Sequence, residues 1–280
     1  MKIIGLYPNP NRDPTLCRTA RVIDALLMLP CEILLCDRFS NAPALAPYKI
    51  RIRFVPEEEL FHGDLLMPLG GDGTILSVAP RAAKAGIPIL GINFGNVGFM
   101  TSLEEDQLSL LSRLGEKDLT VSSRMLLECA VGEEKFYALN EFVISPERGF
   151  HIVELDLYTR EKKLCNFRAD GLIFNTPTGS TGYSFSAGGA VQDADFDSIG
   201  VKAVSSFLLV NAHHMIFSPD TEFTVKGATT EEGIVTLCAD GRAVCPLKSS
   251  DEVKIRRAPH RLKLVFPEPK SNLETFFRKF

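Results

Sequence analysis

The chain has 280 residues, which is long for one compact core and comfortable for two. Its 31 Lys and Arg residues against 35 Asp and Glu residues give a net charge of −4, which argues against a dedicated nucleic-acid-binding protein with a basic face. A composition of 45% hydrophobic and 24% charged residues excludes wholesale disorder. No apolar stretch reaches the roughly 18–20 residues of a membrane-spanning helix, and the N-terminus lacks the apolar region of a signal peptide. We therefore expect neither a nucleic-acid nor a membrane partner.

The seven cysteines are scattered along the chain, and no two are spaced as Cys-x-x-Cys. This pattern is typical of reduced thiols in a cytoplasmic protein and not of a disulfide framework or a zinc site. The adjacent His213 and His214 would point to opposite faces of a strand, so they predict no metal site. The expected location is the cytoplasm.

Over the first hundred residues, short apolar runs alternate with helical patterns. This alternation predicts a parallel sheet with helices packed on its faces, and continuous apolar runs indicate strands that are buried on both sides. The predicted strands are Lys2–Tyr7, Glu32–Cys36, Ile50–Val55, Asp64–Leu69 and Ile87–Asn93, and the predicted helices are Pro14–Leu29 and Thr74–Ala85.

After about Leu114 the pattern changes to short strands separated by charged or glycine turns, which predicts a mostly β domain, a sandwich or a closely related arrangement. We expect an α/β domain over 1–115, a β-rich domain over 116–258, and a tail over 259–280 that packs back on the first domain. The predicted strands of the second half are Val121–Val131, Lys135–Ile144, Val153–Thr159, Leu172–Asn175, Phe223–Val225, Val235–Leu237, Val253–Ile255 and Leu262–Phe266.

Two glycine-rich segments each follow a predicted buried strand. In the first, 69–74 with the sequence Leu-Gly-Gly-Asp-Gly-Thr, glycines allow close approach of a ligand and the following helix offers free N–H groups to phosphate. Asp72 in this turn could accept a proton, pair with a metal ion or hold sugar hydroxyls, and the alternative is a plain turn with a locally bonded Asp. The second segment, 91–99, belongs to the same edge of the sheet.

Two further segments carry polar groups in unusual places. Asn140 and Glu141 interrupt an apolar strand pattern, so they either grip a ribose or mark a strand edge or bulge. The segment 168–189 runs from a strand into a loop rich in hydroxyl side chains and glycine. There Tyr183 could stack on a base, and Thr181 and Ser186 could donate hydrogen bonds to ring or phosphate atoms, although such a run can also be merely a loop.

In this order and spacing, the four segments resemble the NAD kinase family over most of the chain. The Gly-Gly-Asp-Gly-Thr sequence is shared with lipid kinases, whereas the Asn-Glu pair and the sequence Thr-Gly-Ser-Thr-Gly-Tyr-Ser at 178–184 are more specific to NAD kinases. The resemblance implies an NAD kinase/diacylglycerol kinase-like fold: an α/β N-terminal domain with a parallel sheet and a mostly β C-terminal domain. It also implies a homodimer or homotetramer.

The reaction implied by the resemblance transfers a phosphoryl group from ATP or polyphosphate to the 2′-hydroxyl of the adenosine ribose of NAD, with Mg²⁺ or another divalent cation bridging phosphate oxygens. Asp72 would be the catalytic base or would orient the hydroxyl. The substrate-binding residues implied are Gly71, Gly73 and Thr74 for phosphate, Asn140 and Glu141 for the ribose, Thr181, Gly182, Tyr183 and Ser186 for adenine with Arg168 and Asp170 nearby, and Asp240 of a later Asp-Gly turn.

The chain departs from the family pattern in two segments. The family usually has proline after Ala-Gly-Gly, where this chain has Ala190, and later a Pro-His-Ser-Leu-like segment, where this chain reads Asn-Ala-His-His over 211–214. These departures bear on the phosphoryl donor and on subunit contacts. Two alternatives stay open from the residues alone: a non-catalytic dinucleotide-binding sensor, and a lipid or small-alcohol kinase of the same superfamily.

Overall fold

The structure is a computed structural model that describes residues 2–95, 98–115, 119–147, 151–207, 213–231, 233–269 and 272–279. The chain divides into two compact units: unit 1 comprises 1–123 and 260–280, and unit 2 comprises 124–259. The sequence had placed these boundaries at 115/116 and 258/259. The chain passes from one unit to the other within two long strands, and each unit is described below by itself.

Unit 1 contains a six-stranded parallel sheet with the order β3-β2-β1-β4-β5-β6. The helices α1 (Cys17–Leu26) and α2 (Asp72–Ala85) bury their apolar residues, and α2 ends at Gly86, which adopts the left-handed conformation that favours glycine. The strands are β1 (Lys2–Pro8), β2 (Cys31–Cys36), β3 (Arg53–Val55), β4 (Leu65–Gly70), β5 (Ile92–Asn93) and β6 (Leu103–Glu104), and short 3₁₀ helices cover Asp37–Phe39, Pro43–Tyr48, Glu57–His62 and Glu105–Gly115.

Unit 2 contains two antiparallel six-stranded sheets, with the orders β11-β10-β15-β18-β7-β8 and β14-β13-β12-β9-β16-β17. The strands are β7 (Thr120–Val131), β8 (Glu134–Ala138), β9 (Glu141–Pro146), β10 (Val153–Thr159), β11 (Lys162–Ala169), β12 (Gly171–Asn175), β13 (Ile199–Val204), β14 (Met215–Phe217), β15 (Phe223–Thr230), β16 (Val235–Ala239), β17 (Arg242–Leu247) and β18 (Val253–Phe266). A 3₁₀ turn at Thr178–Thr181 and the single-turn helix α3 (Tyr183–Ser186) follow β12, and α4 (Asn272–Lys279) ends the chain.

The inner faces of the two sheets share one apolar core. Phe174 of β12 and Phe223 of β15, which belong to different sheets, place their ring centroids 5.4 Å apart, and Phe142 and Phe167 are also fully buried in this cluster. Sheets that share their inner faces in this way form a β-sandwich. The predicted fold class, a parallel α/β domain with a mostly β domain, is therefore confirmed.

Several predicted strands differ from the structure. The predicted strand Lys135–Ile144 is two strands in different sheets, β8 and β9, with a break at Leu139 and Asn140. The predicted strand Ile87–Asn93 is shortened to β5, and only Ile89 before it forms isolated bridges. The pair Val253–Ile255 and Leu262–Phe266 is one strand, β18. Five strands were missed: β6, β11, β13, β14 and β17.

Within the described ranges, no helix has the length and apolar character needed to cross a membrane.

Candidate active site

In unit 1, three loops meet at the carboxyl edge of the parallel sheet. β1 and β4 are neighbours, and the N–H of Asn9, just after β1, donates to the Leu69 carbonyl at 2.9 Å. The N–H of Phe94, just after β5, donates to the Gly70 carbonyl at 2.5 Å. The chain adds β2 and β3 on one side of β1 and adds β4, β5 and β6 on the other side. The connections that leave β1 and β4 therefore run in opposite directions, and the crevice between them is the usual ligand site of an open α/β sheet.

The Gly-Gly-Asp-Gly segment connects β4 to the N-terminus of α2. Gly70 must lack a side chain, because a Cβ there would lie 2.3 Å from Thr74 Oγ1. The Thr74 hydroxyl is buried and receives hydrogen bonds from Asn9 Nδ2 at 2.9 Å and from the Gly71 N–H at 3.4 Å. Thr74 therefore ties the β1 and β4 loops together, while Gly73 faces open space.

Asp72, the first residue of α2, has its carboxylate held by the second glycine-rich segment. Oδ2 accepts the Phe99 N–H at 2.8 Å, and Oδ1 accepts the Met100 N–H at 3.0 Å. Gly98 permits this approach, because a Cβ at that position would lie 2.5 Å from Asp72 Oδ1 and 2.7 Å from Thr101 Oγ1. Two backbone donors thus fix the orientation of the carboxylate.

A cavity of about 310 Å³ opens at this edge. Its lining includes two charged side chains of opposite sign, Arg12 and Asp72, together with the Gly-Gly-Asp-Gly backbone at the positive end of the α2 dipole. Asn9, Arg12, Asn93 and Gly98 also line the cavity. The sequence had placed the segment 91–99 at this edge without singling out Asn93 or Gly98, and it had assigned neither Asn9 nor Arg12 to a site. The position of Asn9 and Arg12 after a strand of the parallel sheet was a signal, but it identifies a site only once the strand order is known.

In unit 2, an Asp-Gly turn holds the segment that separates β8 from β9. Asp240 and Gly241 both have positive φ angles (46° and 76°) and join β16 to β17 as a two-residue hairpin turn. The Asp240 carboxylate accepts three backbone N–H groups, from Leu139 at 2.9 Å, Asn140 at 2.7 Å and Glu141 at 3.2 Å. Burial raises the pKa of Asp240, and these three hydrogen bonds oppose the rise. The carboxylate therefore organises the Asn-Glu pair.

Glu141 is buried, with 6% of its surface exposed. Burial, and secondly the nearby Asp240 carboxylate, raise its pKa to about 7, while the N–H of Tyr183 opposes the rise. Its Oε2 and the Oδ1 of Asn140 are both buried and have no hydrogen-bond partner among the described residues. Two unsatisfied acceptors in adjacent residues are costly, and ligand hydroxyls would satisfy them.

The hydroxyl-rich loop after β12 is packed directly on this pair. Only glycine fits at Gly179, because a Cβ there would lie 2.2 Å from the Asn140 carbonyl oxygen. The Thr176 hydroxyl donates to the Leu139 carbonyl at 2.6 Å, and the Thr176 N–H donates to the Asn140 carbonyl at 2.9 Å. The loop and the Asn-Glu pair are therefore packed and hydrogen-bonded to each other.

The structure brings Gly182, Tyr183, Asn140 and Glu141 together. A Cβ at Gly182 would lie 3.2 Å from Glu141 Oε2 and 3.8 Å from Asn140 Nδ2, so a small residue is favoured there. The Tyr183 side chain is 45% exposed, which leaves a ring face available for stacking. Thr181 is the last residue of the 3₁₀ turn before Tyr183, and Ser186 is the last residue of α3, which Tyr183 begins.

Arg168 and Asp170 lie elsewhere. Both are exposed and precede β12, whereas the hydroxyl-rich loop follows it, so the length of this strand separates them from Tyr183. The Arg168 guanidinium lies 3.7 Å from the Glu154 carboxylate and 5.7 Å from the Phe207 ring centroid. The structure thus does not bring these two residues to the pocket of the same chain.

Comparisons with known proteins place these observations in a family. Residues 5–118 match the family described as ATP-NAD kinase N-terminal domain, and residues 139–266 match the ATP-NAD kinase C-terminal domain. The NAD kinase of Natranaerobius thermophilus is 30% identical, over 95% of this chain and 93% of its own length. The NAD kinase of Syntrophotalea carbinolica is 32% identical, over 100% of this chain and 98% of its own length.

Two solved structures show the same fold. A yeast NADH kinase complexed with NADH aligns with a TM-score of 0.84 at 19% identity, covering 99% of this chain and 86% of that chain. An NAD kinase from Archaeoglobus fulgidus in complex with ATP aligns with a TM-score of 0.75 at 24% identity, covering 100% and 98%.

Proposed function

The chain belongs to the NAD kinase family, and from this premise we propose that it transfers a phosphoryl group from ATP to the 2′-hydroxyl of the adenosine ribose of NAD. The single observation that carries this proposal in the structure is the pair of buried, unpartnered acceptors on Asn140 and Glu141. A ribose offers two adjacent O–H donors, which is the chemistry that two adjacent orphaned acceptors require. Phosphorylation of one hydroxyl removes a donor and adds negative charge, so the pocket favours substrate over product.

Adenine would bind beside the ribose. Tyr183 supplies an exposed aromatic face for stacking, and Gly182 leaves room against Glu141. Thr181 and Ser186 supply hydroxyl groups for the ring edge or for phosphate oxygens. The rigid attachment of this loop to the Asn-Glu pair supports one binding site for the whole adenosine moiety.

The unit 1 cavity would hold phosphate. The N–H groups at the start of α2 and the Gly71 and Gly73 backbone offer donors to anionic oxygens, and Arg12 adds a positive charge. Asp72 would orient the ribose hydroxyl and accept its proton. Its carboxylate is already held by the Phe99 and Met100 N–H groups, so no reorganisation is needed for this role.

The residues present fit a magnesium ion that arrives with the nucleotide. Mg²⁺ in phosphoryl-transfer sites is bound by one or two carboxylates together with substrate phosphates and water. The Asp72 carboxylate, which lines the cavity, is the group that would hold it. The ion would neutralise charge on the phosphate oxygens during transfer.

Other parts of the proposal concern the remaining site residues, the location and the assembly. Asp240 acts by holding Asn140 and Glu141, while Arg168 and Asp170 stay candidates for substrate contact on the sequence resemblance alone. A cytoplasmic location is supported by seven cysteines that are all free. A homodimer or homotetramer is proposed from the family resemblance, and polyphosphate stays an alternative donor.

The experiment that tests the function is a coupled assay of the purified protein with NAD, Mg²⁺ and either ATP or polyphosphate, in which NADP is detected by an NADP-specific dehydrogenase. We expect NADP formation with ATP. NADP formation with polyphosphate but not with ATP would identify polyphosphate as the phosphoryl donor. No product with either donor, alongside measurable NAD binding, would replace the proposal by a dinucleotide sensor.

A further inference from the structure

The segment that follows Gly189 contacts the segment that precedes β14. Ala190 comes directly after Gly189, and His214 directly before β14. The Ala190 N–H donates to Nδ1 of His214 at 2.9 Å. Proline has no N–H, so this hydrogen bond exists only because residue 190 is not proline.

This hydrogen bond fixes the protonation of His214. A neutral imidazole that accepts at Nδ1 carries its proton on Nε2. The Nε2 atom of His214 and Oδ1 of Asn175 are both buried and have no hydrogen-bond partner among the described residues. Each lies 2.4 Å from the point where a Cβ of Gly200 would stand, so only glycine at 200 leaves room for both side chains.

Asn175 belongs to a separate set of hydrogen bonds that holds the hydroxyl-rich loop. Its Nδ2 donates to the Thr176 carbonyl at 2.9 Å and to Gln192 Oε1 at 3.1 Å, and the Gln192 N–H donates to Ser180 Oγ at 2.9 Å. We call His214, Asn175, Gln192 and Ser180 the loop clamp. It holds both ends of the segment 176–192, which carries Tyr183 and Ser186.

We propose that His214 is a positioning residue that fastens the C-terminal end of the nucleotide loop through the Ala190 N–H and so keeps Tyr183 and Ser186 in place for the dinucleotide. The inference rests on the proposed function of this loop in NAD binding. His214 itself is not assigned a contact with the substrate.

The clamp works only with neutral imidazole, because a proton on Nδ1 removes the acceptor for the Ala190 N–H. Burial and the Lys202 ammonium on β13 both lower the pKa of His214, which favours the neutral form at neutral pH. From β12 and the loop, the facing groups described above are the uncharged Asn175 amide and the Ala190 backbone. As the pH falls through the pKa of His214, the hydrogen bond is lost and NAD binding weakens.

Three variants test the clamp by their steady-state constants for NAD over a range of acidic to neutral pH. We expect His214→Leu to raise KM for NAD about five-fold, the effect of one hydrogen bond, with little change in kcat. His214→Asn keeps an acceptor near the Nδ1 position and cannot titrate, so it should restore KM and abolish the acidic rise. Ala190→Pro should reproduce His214→Leu, and the double variant should be no worse than either single variant. The exposed His260, changed to Asn, is the matched control.

Amide hydrogen exchange gives a readout that does not depend on activity. We expect the Ala190 amide to be protected in the wild type and in His214→Asn, and to exchange faster in His214→Leu. Unchanged KM in His214→Leu, or strictly additive effects of His214→Leu and Ala190→Pro, would overturn the positioning role. A wild-type protein that forms no NADP would instead overturn the proposed function, and the exchange result would still decide whether the clamp exists.

Discussion

Two carboxylates in the molecule, Asp72 in unit 1 and Glu141 in unit 2, are held in opposite ways. Both oxygens of Asp72 accept backbone N–H groups, and the residue stands at the N-terminus of a helix. Glu141 is buried next to a second carboxylate, and one of its oxygens has no partner. The Asp72 carboxylate thus has a fixed orientation before any ligand binds, whereas the hydrogen bonding of the Glu141 carboxylate is completed only by a ligand.

The largest effect should come from Asp72→Asn, which keeps the shape and removes the negative charge. An amide NH₂ would also face the Phe99 or Met100 N–H, so the orientation is lost. We expect kcat to fall by about 10²–10⁴-fold, the range for removing a positioned base, while NAD binding survives. The coupled assay and isothermal titration with NAD check this. The matched control is Asp106→Asn, an exposed residue outside the cavity, and undiminished turnover in Asp72→Asn would contradict the role.

The next effect concerns the binding side of the comparison. Tyr183→Ala should weaken NAD binding by about 1–3 kcal/mol if the exposed ring stacks on the base, and kcat should change little. Tyr183→Phe keeps the ring and serves as the control. A fall in kcat with unaltered NAD affinity in Tyr183→Ala would count against the stacking contact.

Gly98→Ala tests whether the orientation of Asp72 matters apart from its charge. The added Cβ would lie 2.5 Å from Asp72 Oδ1, so the carboxylate or the loop must shift. We expect about a ten-fold loss of kcat, because small displacements at a reacting group are costly, with NAD affinity preserved. Gly115→Ala is the matched control, since Gly115 is not among the residues that line the cavity and nothing lies within 4 Å of a Cβ there. Equal effects of the two substitutions would refute the argument.

The smallest effect is a change in pH dependence. Glu141 has a pKa of about 7, above its ordinary value of 4.5, so its ionised form is disfavoured in the free protein. The free protein should therefore lose stability as the pH rises from about 4.5 to 7, and NAD affinity should increase over the upper part of that range, because a carboxylate accepts ribose hydroxyls better than a carboxyl group.

Glu141→Gln should flatten both profiles, measured by thermal unfolding and by NAD titration at several pH values. Glu154→Gln, an exposed residue of β10, is the control. A wild-type profile that Glu141→Gln leaves unchanged would show that another group titrates. Protonation of His214 also weakens NAD binding at acidic pH. The part of the pH dependence of NAD affinity that remains in Glu141→Gln should therefore be removed by His214→Asn.

The sequence predicted the architecture well where the cause is local. Alternating strands and helices, the Gly-Gly-Asp-Gly turn after β4 and the Asp-Gly turn at Asp240 all depend on neighbours along the chain. The predictions from sequence were wrong where a group distant along the chain determines the local structure. The apolar pattern of 135–144 reads as one strand, but the Asp240 carboxylate, about a hundred residues away, binds the N–H groups of 139–141 and ends β8 there.

The site followed the same rule. Motifs indicated Asp72, Glu141 and Tyr183, since each stands inside a segment of unusual composition. Asn9 carries no such signal, and Gly98 is one of several glycines in the segment 91–99, so the individual roles of these two residues depend on which strands are adjacent. Ile89 is a similar case in the fold, because it bridges to Leu264 near the end of the chain and Pro88 lacks an N–H to continue a strand.

That bridge sets the order in which the protein can be completed during synthesis. Unit 2 is contiguous, whereas unit 1 needs its first 123 residues and its last 21. The Ile89 N–H donates to the Lys263 carbonyl and the Ile89 carbonyl accepts the Val265 N–H, both at 2.8 Å, so the backbone at Ile89 is paired only after a segment far later in the chain has been made. Until then unit 1 exposes unpaired backbone groups beside β4, the kind of surface that favours aggregation of incomplete chains.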